Sequence, residues 1–391
     1  MTLPIVSGSE RVLLTMNKKY IWSTIITVII VLLVIYHSTR SDIRTVTLTT
    51  QQQQQVDELL NNTATRCMGV YLFDLPKQFI SSLATELNYT DNHQIIIETD
   101  QIYLPSFKQM LAYREQELKN TQPVYANDGN FLKAIHPVPT TNPDKMQGII
   151  FERMESTTTP DVARILEGYR WQNNVSLKIE IKARNGLASR YDQDREDSPK
   201  LYGNNVPEKL AQMYKLFEQI TVRDDYTIPT EPGFCFINGF MHGGVKEYKN
   251  LNFNFRYNSH KSFSIQIDID DYSDDLSLLD APDEIVMPKP GHTVYKGKRE
   301  SHNLQMEEWI VKGAFFSDNN KDYPIMQEGY IFYLAINQFD ANYKKPQLTF
   351  KMHYKIPTDT SIPTYNEDQL MVIWRDITDS IRIRESAFDD E

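Results

Sequence analysis

The chain has 391 residues, of which 40% are hydrophobic, and this is enough apolar material for the cores of about two domains. Its formal net charge of −11 at pH 7 argues against a nucleic-acid partner, because phosphate groups would repel it. The same charge suits a soluble protein or one that binds a basic protein. Two cysteines are too few for a disulfide scaffold.

An apolar run without any charge stands near the N-terminus, over Tyr20–Tyr36. As a helix it would span about 26 Å, at the short end of a bilayer crossing. Basic residues precede it, which favours a cytoplasmic N-terminus, and no small-residue cleavage site follows it. We therefore predict an uncleaved anchor with all later residues outside the cytoplasm. A buried core helix is the alternative.

These features divide the N-terminal region into three parts. The expected parts are a cytoplasmic segment (1–19), a transmembrane anchor (20–36) and a polar stalk (37–62). The stalk is rich in glutamine and could become helical through Val56 and Leu59, but the sequence assigns it only a spacing role.

A first strand-rich module is predicted over residues 63–221. The strands expected in it are Met68–Asp74, Ile80–Tyr89, Gln94–Thr99, Gly148–Met154, Ala163–Trp171 and Val175–Ala183, with a helix over Pro105–Asn120. Strict alternation of Leu177, Ile179 and Ile181 predicts a strand with one buried face. Residues 185–205 are charged and turn-rich, which predicts a loop.

A second module is predicted over residues 222–391 and begins with the rigid entry Ile228–Phe240, in which prolines and Gly233 favour a sharp turn. The strands expected in it are Asn252–Tyr257, Ser262–Asp270, Val311–Phe316, Gly329–Asn337 and Gln347–Tyr354.

Each module ends in a pattern typical of an amphipathic helix. In the first, Met213 and Phe217 belong to an apolar face, and in the second Trp374 and Ile377 do. Thr364 and Glu367 have the spacing of a capping box just before the second helix. The predicted fold class is therefore α+β: an N-terminal transmembrane helix followed by two similar strand-rich modules, each closed by an amphipathic helix. Two unrelated α+β domains are the alternative.

The sequence contains no pattern that predicts catalysis or cofactor binding. There is no G-x-S-x-G nucleophile elbow and no glycine-rich phosphate loop. The eight histidines are scattered singly, which argues against a zinc site. We therefore predict no catalytic residue, no cofactor and no metal ligand.

One stretch of the second module is crowded with carboxylates. Its members are Asp268, Asp270, Asp271, Asp274 and Asp275. A solvated turn after a strand, a contact surface for a basic patch on a partner, and a calcium site remain open as interpretations.

Cys67 and Cys235 both stand at the start of a predicted strand, one in each module. In an oxidising compartment they could form a disulfide that joins the modules. Two buried free thiols at equivalent positions are the alternative.

Several stretches together resemble the immunity proteins that neutralise type VI secretion lipase effectors. They are RCMGVYLFDLP in the first module and IPTEPGFCFINGF, VYKGKRESHNLQMEEWIVKG and DQLMVIWRDITDSIRIR in the second. Within them, the residues that fit the family pattern are Lys298, Arg299, Glu308, Trp374, Ser380, Arg382 and Arg384. Departures from the pattern occur at Val70, His302, Asn303 and Met306, and they affect the detail of loops.

The resemblance implies a stoichiometric inhibitor rather than an enzyme. It implies a protein in the periplasm of a Gram-negative bacterium. Together with the predicted anchor, this gives a single-pass inner-membrane protein with its C-terminal region in the periplasm. Its partner would be a cognate phospholipase effector, whose substrate entrance or moving lid it would cover. A membrane-anchored structural or assembly protein of the envelope is the main alternative, and a lipid hydrolase with an unrecognised site is the third.

Overall fold

A computed structural model describes residues 46–81, 85–89, 95–140, 146–243, 245–246, 249–257, 262–272, 276–288, 290–317 and 325–388. The elements of the first half are α1 (Thr50–Leu60), β1 (Thr63–Met68), β2 (Tyr71–Pro76), β3 (Phe79–Ser81), β4 (Thr85–Tyr89), β5 (Ile95–Gln101), α2 (Leu104–Asn120), β6 (Leu132–Pro137), β7 (Met146–Met154), β8 (Ala163–Gln172), β9 (Val175–Arg184), α3 (Asp192–Asp197), α4 (Pro199–Tyr202), α5 (Val206–Gln219) and β10 (Ile220–Val222).

The second half continues with a similar predominance of strands. Its elements are β11 (Gly233–Phe236), β12 (Gly239–His242), β13 (Lys249–Tyr257), β14 (Phe263–Asp270), α6 (Asp283–Val286), β15 (Gly291–Ser301), β16 (Leu304–Ser317), β17 (Ile325–Ile336), β18 (Gln347–Lys355), α7 (Glu367–Asp379) and β19 (Arg382–Ile383).

Strands from both halves form one sheet of 13 strands. Its order is β15-β16-β17-β18-β14-β13-β4-β5-β9-β8-β7-β6, and β3 also pairs with β13. The halves meet where β13 pairs antiparallel with β4 and β3, in registers such as Leu251 opposite Leu87. Two three-stranded sheets, β1-β2-β19 and β10-β12-β11, lie outside this large sheet. The strand-rich, two-module character predicted from the sequence is present, but the modules share a continuous sheet.

The closing helices pack on the sheet through the apolar faces that the sequence indicates. Met213 and Phe217 of α5 contact β8 at Gly168, where an added Cβ would collide with the methionine sulfur. In α7, the Trp374 ring lies 5.4 Å from the ring of Phe332 and 5.7 Å from that of Phe350, measured between centroids. Both helices belong to the same buried hydrophobic cluster, so one core extends beneath the two halves.

The start of α7 differs from the prediction by two residues. The capping box is formed by Asn366 and Gln369, each side chain accepting from the other's backbone N–H, and not by Thr364 and Glu367. Asparagine ranks above threonine as an N-cap, which favours the later start.

Three local predictions in the first half are corrected by the structure. The strand expected over Met68–Asp74 is a hairpin of β1 and β2, because Gly69 has a φ of +56° that turns the chain. The loop expected over 185–205 contains the short helices α3 and α4. The residues assigned to a spacing role include α1, whose Val56 and Leu59 are buried in the main core.

The transmembrane part of the predicted fold class is not upheld. In the part of the chain that the structure describes, no helix is long and apolar enough to cross a membrane. The longest described helix, α2, has 17 residues and carries several charged side chains, whereas a crossing needs about 20 apolar residues. Residues 1–45, with the predicted cytoplasmic segment and the anchor over 20–36, lie outside the described residues. Because no described helix could cross a membrane, we correct both the predicted N-terminal transmembrane helix and the predicted single-pass inner-membrane location.

Candidate functional site

A disulfide joins the two halves beside the large sheet. Cys67 of β1 and Cys235 of β11 are fully buried, with their Cα atoms 5.7 Å apart. Next to the bridge, Gly69 and Cys235 exchange two backbone hydrogen bonds of 2.8 and 2.9 Å. The positive φ of Gly69 allows this approach, and an added Cβ there would lie 3.0 Å from Ile269. The bridge therefore fixes β11 against the β1–β2 hairpin.

A buried arginine organises the start of the second half. Arg223 donates from all three guanidinium nitrogens to backbone carbonyl oxygens, those of Cys67 (2.9 Å), Gly239 (3.0 Å), Asp224 (3.1 Å), Phe236 (3.2 Å) and Thr227 (3.2 Å). Burial lowers the pKa of Arg223, and the nearby Asp225 and Asp224 oppose that shift. Such a fork ties residues that are distant in sequence into one rigid unit.

A second buried arginine holds the segment that follows. Arg384, just after β19, donates to the carbonyl oxygens of Glu231 (2.8 Å), Pro229 (3.0 Å) and Gly233 (2.5 Å). Burial lowers the pKa of Arg384 to about 10, with a further lowering by Arg223. We call residues 223–236 the junction segment, since both arginines and the disulfide attach to it.

The junction segment forms one wall of a cleft of about 860 Å³. The other walls come from β3, from the β5–α2 connection and from the β8–β9 turn. Three large apolar side chains that line the cleft remain exposed to solvent: Tyr103 (73%), Ile80 (48%) and Tyr226 (43%). The guanidinium of Arg66 stacks on the Tyr226 ring, 3.9 Å from its centre, in a cation–π contact.

Amide and hydroxyl groups make up much of the remaining lining. Gln101 Nε2 donates to Asn238 Oδ1 (3.0 Å), and Ser81 Oγ donates to Asp225 Oδ2 (2.9 Å). Asn173 and Asn174 form the β8–β9 turn with positive φ values of 50° and 63°, a conformation that asparagine tolerates well. Tyrosine rings with adaptable amides are the chemistry of protein-binding loops, so the cleft suits a polypeptide partner.

The acidic stretch is placed on and after β14, and its described members are engaged within the fold. Asp271 Oδ2 lies 2.8 Å from the buried Nζ of Lys249, and burial raises the pKa of Asp271. Asp270 accepts from Asn250 Nδ2 (2.8 Å), and Asp268 accepts from Gln266 Nε2 (3.0 Å). Asp274 and Asp275 lie outside the described residues.

The calcium interpretation gains no support in the described ranges, where no group of three or more His, Cys, Asp or Glu residues could hold a metal ion. The stretch and the residues after it also carry exposed apolar side chains, namely Tyr272, Leu276 and Ile285. Phe339 is exposed as well, and its neighbour Gln338 accepts a hydrogen bond from Leu278 N (2.6 Å). Between Ser262 and Pro288 the sequence contains no lysine or arginine. We call residues 268–272 and 276–286, with 338–340, the acidic edge.

Family models match nearly the whole of the described region. The model of the Tle cognate immunity protein 4 N-terminal domain matches residues 64–223, and that of the C-terminal domain matches residues 227–386. The chain belongs to the Tle cognate immunity protein 4 family. The prediction of an immunity protein for a type VI secretion lipase effector is confirmed by this family.

Solved structures agree with this fold. The apo structure of the immunity protein TplEi of the type VI secretion system from Pseudomonas aeruginosa is 20% identical, with a TM-score of 0.59 over 85% of this chain and 100% of that one. The matching chain in a crystal structure of the Tle4-Tli4 complex is 19% identical, with a TM-score of 0.60 over 84% of this chain and 99% of that one. TplEi complexed with an "L" peptide is 18% identical, with a TM-score of 0.55 over 83% and 99% of the two chains. No curated protein sequence matches the chain.

Several of the residues that carried the sequence resemblance hold elements of the fold together. Glu308 accepts from Arg299 Nε and from Trp374 Nε1, both at 2.8 Å, and thereby ties α7 to the sheet. Arg384 holds the junction segment. Sequence reasoning did not single out Tyr103 or Tyr226 as candidate contacts, because no sequence pattern separates an exposed tyrosine from a buried one.

Proposed function

We propose that this immunity protein binds a cognate type VI lipase effector and inhibits it by covering the effector's substrate entrance or its moving lid. Membership of the Tle cognate immunity protein 4 family carries this proposal. One of the structures with the same fold is a complex of Tle4 with Tli4, which supports a direct protein–protein contact as the means of inhibition.

Inhibition of this kind requires no chemistry from the immunity protein. A lipase has to open to admit its substrate, so a partner that holds it closed or covers its mouth stops turnover. We therefore propose that this chain is not an enzyme, in keeping with the lack of a nucleophile elbow in its sequence.

The cleft beside the junction segment is our first candidate for the contact surface. Interface hot spots are enriched in tyrosine, tryptophan and arginine. Tyr103 and Tyr226 offer large rings at the cleft, and Tyr226 is held in place by Arg66. An exposed ring that already has a fixed orientation loses little conformational entropy on binding.

The acidic edge is our second candidate, and it contains the described part of the stretch from Asp268 to Asp275. Its carboxylates would speed the encounter with a basic partner surface, since charged rims act chiefly on association rate and specificity. Its exposed Tyr272, Ile285 and Phe339 would supply the apolar part of the contact.

Co-expression tests the proposal in cells. A candidate type VI lipase effector from the same organism is produced in a sensitive bacterial strain, with this immunity protein or with an unrelated protein of similar size. We expect growth only with the immunity protein, and a complex of about one to one on co-purification. Continued killing together with the absence of a complex would contradict the proposed partner.

A further inference from the structure

The disulfide and the two buried arginines meet on the junction segment, next to the cleft, and this placement suggests a role beyond stabilising the fold. We propose that the Cys67–Cys235 disulfide acts with Arg384 as a positioning device, which holds the junction segment so that Asp225 and Tyr226 face the cleft in a fixed geometry. This inference rests on the proposed function, because the fixed geometry matters for binding the effector.

Contacts with buried groups hold the junction segment at three points. Arg223 fixes its beginning to β1 through the carbonyl of Cys67, and the disulfide fixes its end to the same strand. Arg384 fixes its middle through the carbonyls of Pro229, Glu231 and Gly233. Both arginines and both cysteines are buried, so water competes little for these hydrogen bonds.

Between the held points the segment has few attachments of its own. Residues 224–227 form a turn in which Tyr226 N donates to Asp224 Oδ1 (2.8 Å) and Thr227 N donates to Asp224 O (3.0 Å). Asp225 Oδ1 accepts from Asn238 N (3.0 Å), which lies just beyond the disulfide. Ser81 also donates to Asp225, and Arg66 stacks on Tyr226, so the turn that carries the exposed tyrosine takes its position from these contacts together with the tied ends.

The apolar surroundings of the bridge are small. Phe240 is the only other buried member of its hydrophobic cluster among the described residues, with Leu72 and Ile228 packed against it. A cluster of this size stabilises a segment far less than the main core does. Phe234 and Phe236, on either side of Cys235, are buried in the main core and hold the end of the segment as well. The covalent bond and the guanidinium hydrogen bonds are therefore expected to matter most for residues 224–233, which precede these two phenylalanines.

Two variants test the device: the double variant Cys67→Ala/Cys235→Ala, and Arg384→Lys, which keeps the charge but loses the fork. Hydrogen–deuterium exchange reports on the junction segment, through amides such as Gly243 N, which donates to Pro232 O. Calorimetric titration reports on affinity for the purified cognate lipase. We expect faster exchange over residues 224–243 in both variants. If only about a tenth of the variant molecules keep the geometry that binds the lipase, their affinity for the lipase falls about tenfold.

The control is Ile179→Ala, which removes a buried side chain of β9 in the main core and leaves the disulfide and both arginines in place. All proteins are compared at a temperature at which circular dichroism shows them folded. Loss of affinity in the junction variants, with wild-type affinity in Ile179→Ala, supports positioning. Wild-type exchange and wild-type affinity in both junction variants would overturn it.

The readouts also separate this inference from the proposed function. If the wild-type protein does not bind the lipase, the proposed function fails, and faster exchange in the variants still reports that the ties order the segment. If the wild-type protein binds and the variants bind equally well despite faster exchange, the function stands and the positioning role is wrong.

Discussion

Arg299 and Glu308 form a buried ion pair, with Nε 2.8 Å from Oε1 and neither side chain more than 6% exposed. The same carboxylate oxygen accepts from Trp374 Nε1 at 2.8 Å, and Arg299 Nη2 donates to Thr378 Oγ1 at 2.6 Å. A single carboxylate on β16 therefore connects the edge strand β15 to the closing helix α7. This arrangement explains why the sequence resemblance includes an arginine, a glutamate and a tryptophan that lie far apart in the chain.

Removal of this carboxylate is predicted to destabilise the protein strongly. Glu308→Ala removes the buried carboxylate that faces the Arg299 guanidinium and leaves it only the exposed Asp379 as a carboxylate partner, and loss of one partner of a buried pair costs about 3–5 kcal/mol. The free energy of unfolding in urea measures the loss. Lys298→Ala is the matched control, because Lys298 is 67% exposed and its ion pair with Glu307 is worth about 0–1 kcal/mol. Equal losses in the two variants would contradict a special role for Glu308.

The charged network around Glu167 predicts acid sensitivity. Burial opposes ionisation of Glu167, but hydrogen bonds from Arg114, Tyr169 and Arg153 outweigh it and lower the pKa from 4.5 to about 2. A carboxyl group with a depressed pKa stabilises the fold above its unfolded pKa, and this contribution is lost as pH falls from about 4.5 to 2.

Thermal unfolding across this pH range measures the effect. We expect the melting temperature of the wild-type protein to fall between pH 5 and pH 2.5. Glu167→Gln is expected to melt lower at pH 6 and to show a shallower dependence on pH in this window. An unchanged slope in Glu167→Gln would show that other carboxylates control the acid response.

The helix α1 is predicted to be part of the folded unit. Leu59 is buried in the main core, and Gln369 Nε2 of α7 donates to Gln55 Oε1 at 2.8 Å. Leu59→Ala is expected to lower the free energy of unfolding by about 2–5 kcal/mol, as for other large-to-small core substitutions. The exposed neighbour Glu58→Ala should change it by less than about 0.5 kcal/mol. A spacing role for these residues predicts no loss in either variant.

Local periodicity in the sequence predicted the elements that bury one side against the core. The alternation of Leu177, Ile179 and Ile181 identified β9, and the apolar faces of α5 and α7 identified both helices, because all three elements pack on the same core. Edge strand β15 was missed because its residues from Lys296 to Ser301 are polar or glycine, so their alternating exposure leaves no hydrophobic pattern in the sequence. The continuous sheet was missed because β4 and β13 pair across about 160 residues, which no local pattern reports.

The candidate contacts were predictable only in part. A run of aspartates is visible in a sequence, but their engagement by Lys249, Asn250 and Gln266 depends on the pairing of β13 with β14 and on the turns beside it. The cleft was invisible, since Tyr103 and Tyr226 come from different modules and meet only in the fold.

The cleft tyrosines are predicted to contribute to effector affinity. Tyr103→Ala and Tyr226→Ala should each weaken binding of the cognate lipase by about tenfold or more, because truncated hot-spot rings cost upwards of about 1–2 kcal/mol. Calorimetric titration measures the change. Tyr125→Ala is the control, as this exposed tyrosine does not line the cleft. Equal affinities for all three variants would move the contact to the acidic edge or elsewhere.

Direct inhibition of a lipase is best tested by titrating the purified cognate enzyme with this immunity protein and following hydrolysis of a phospholipid substrate. We predict a linear fall of activity that reaches its floor at about one immunity protein per lipase. We also predict no hydrolysis by the immunity protein alone. Full lipase activity in the presence of a several-fold excess of folded immunity protein would contradict inhibition by direct binding.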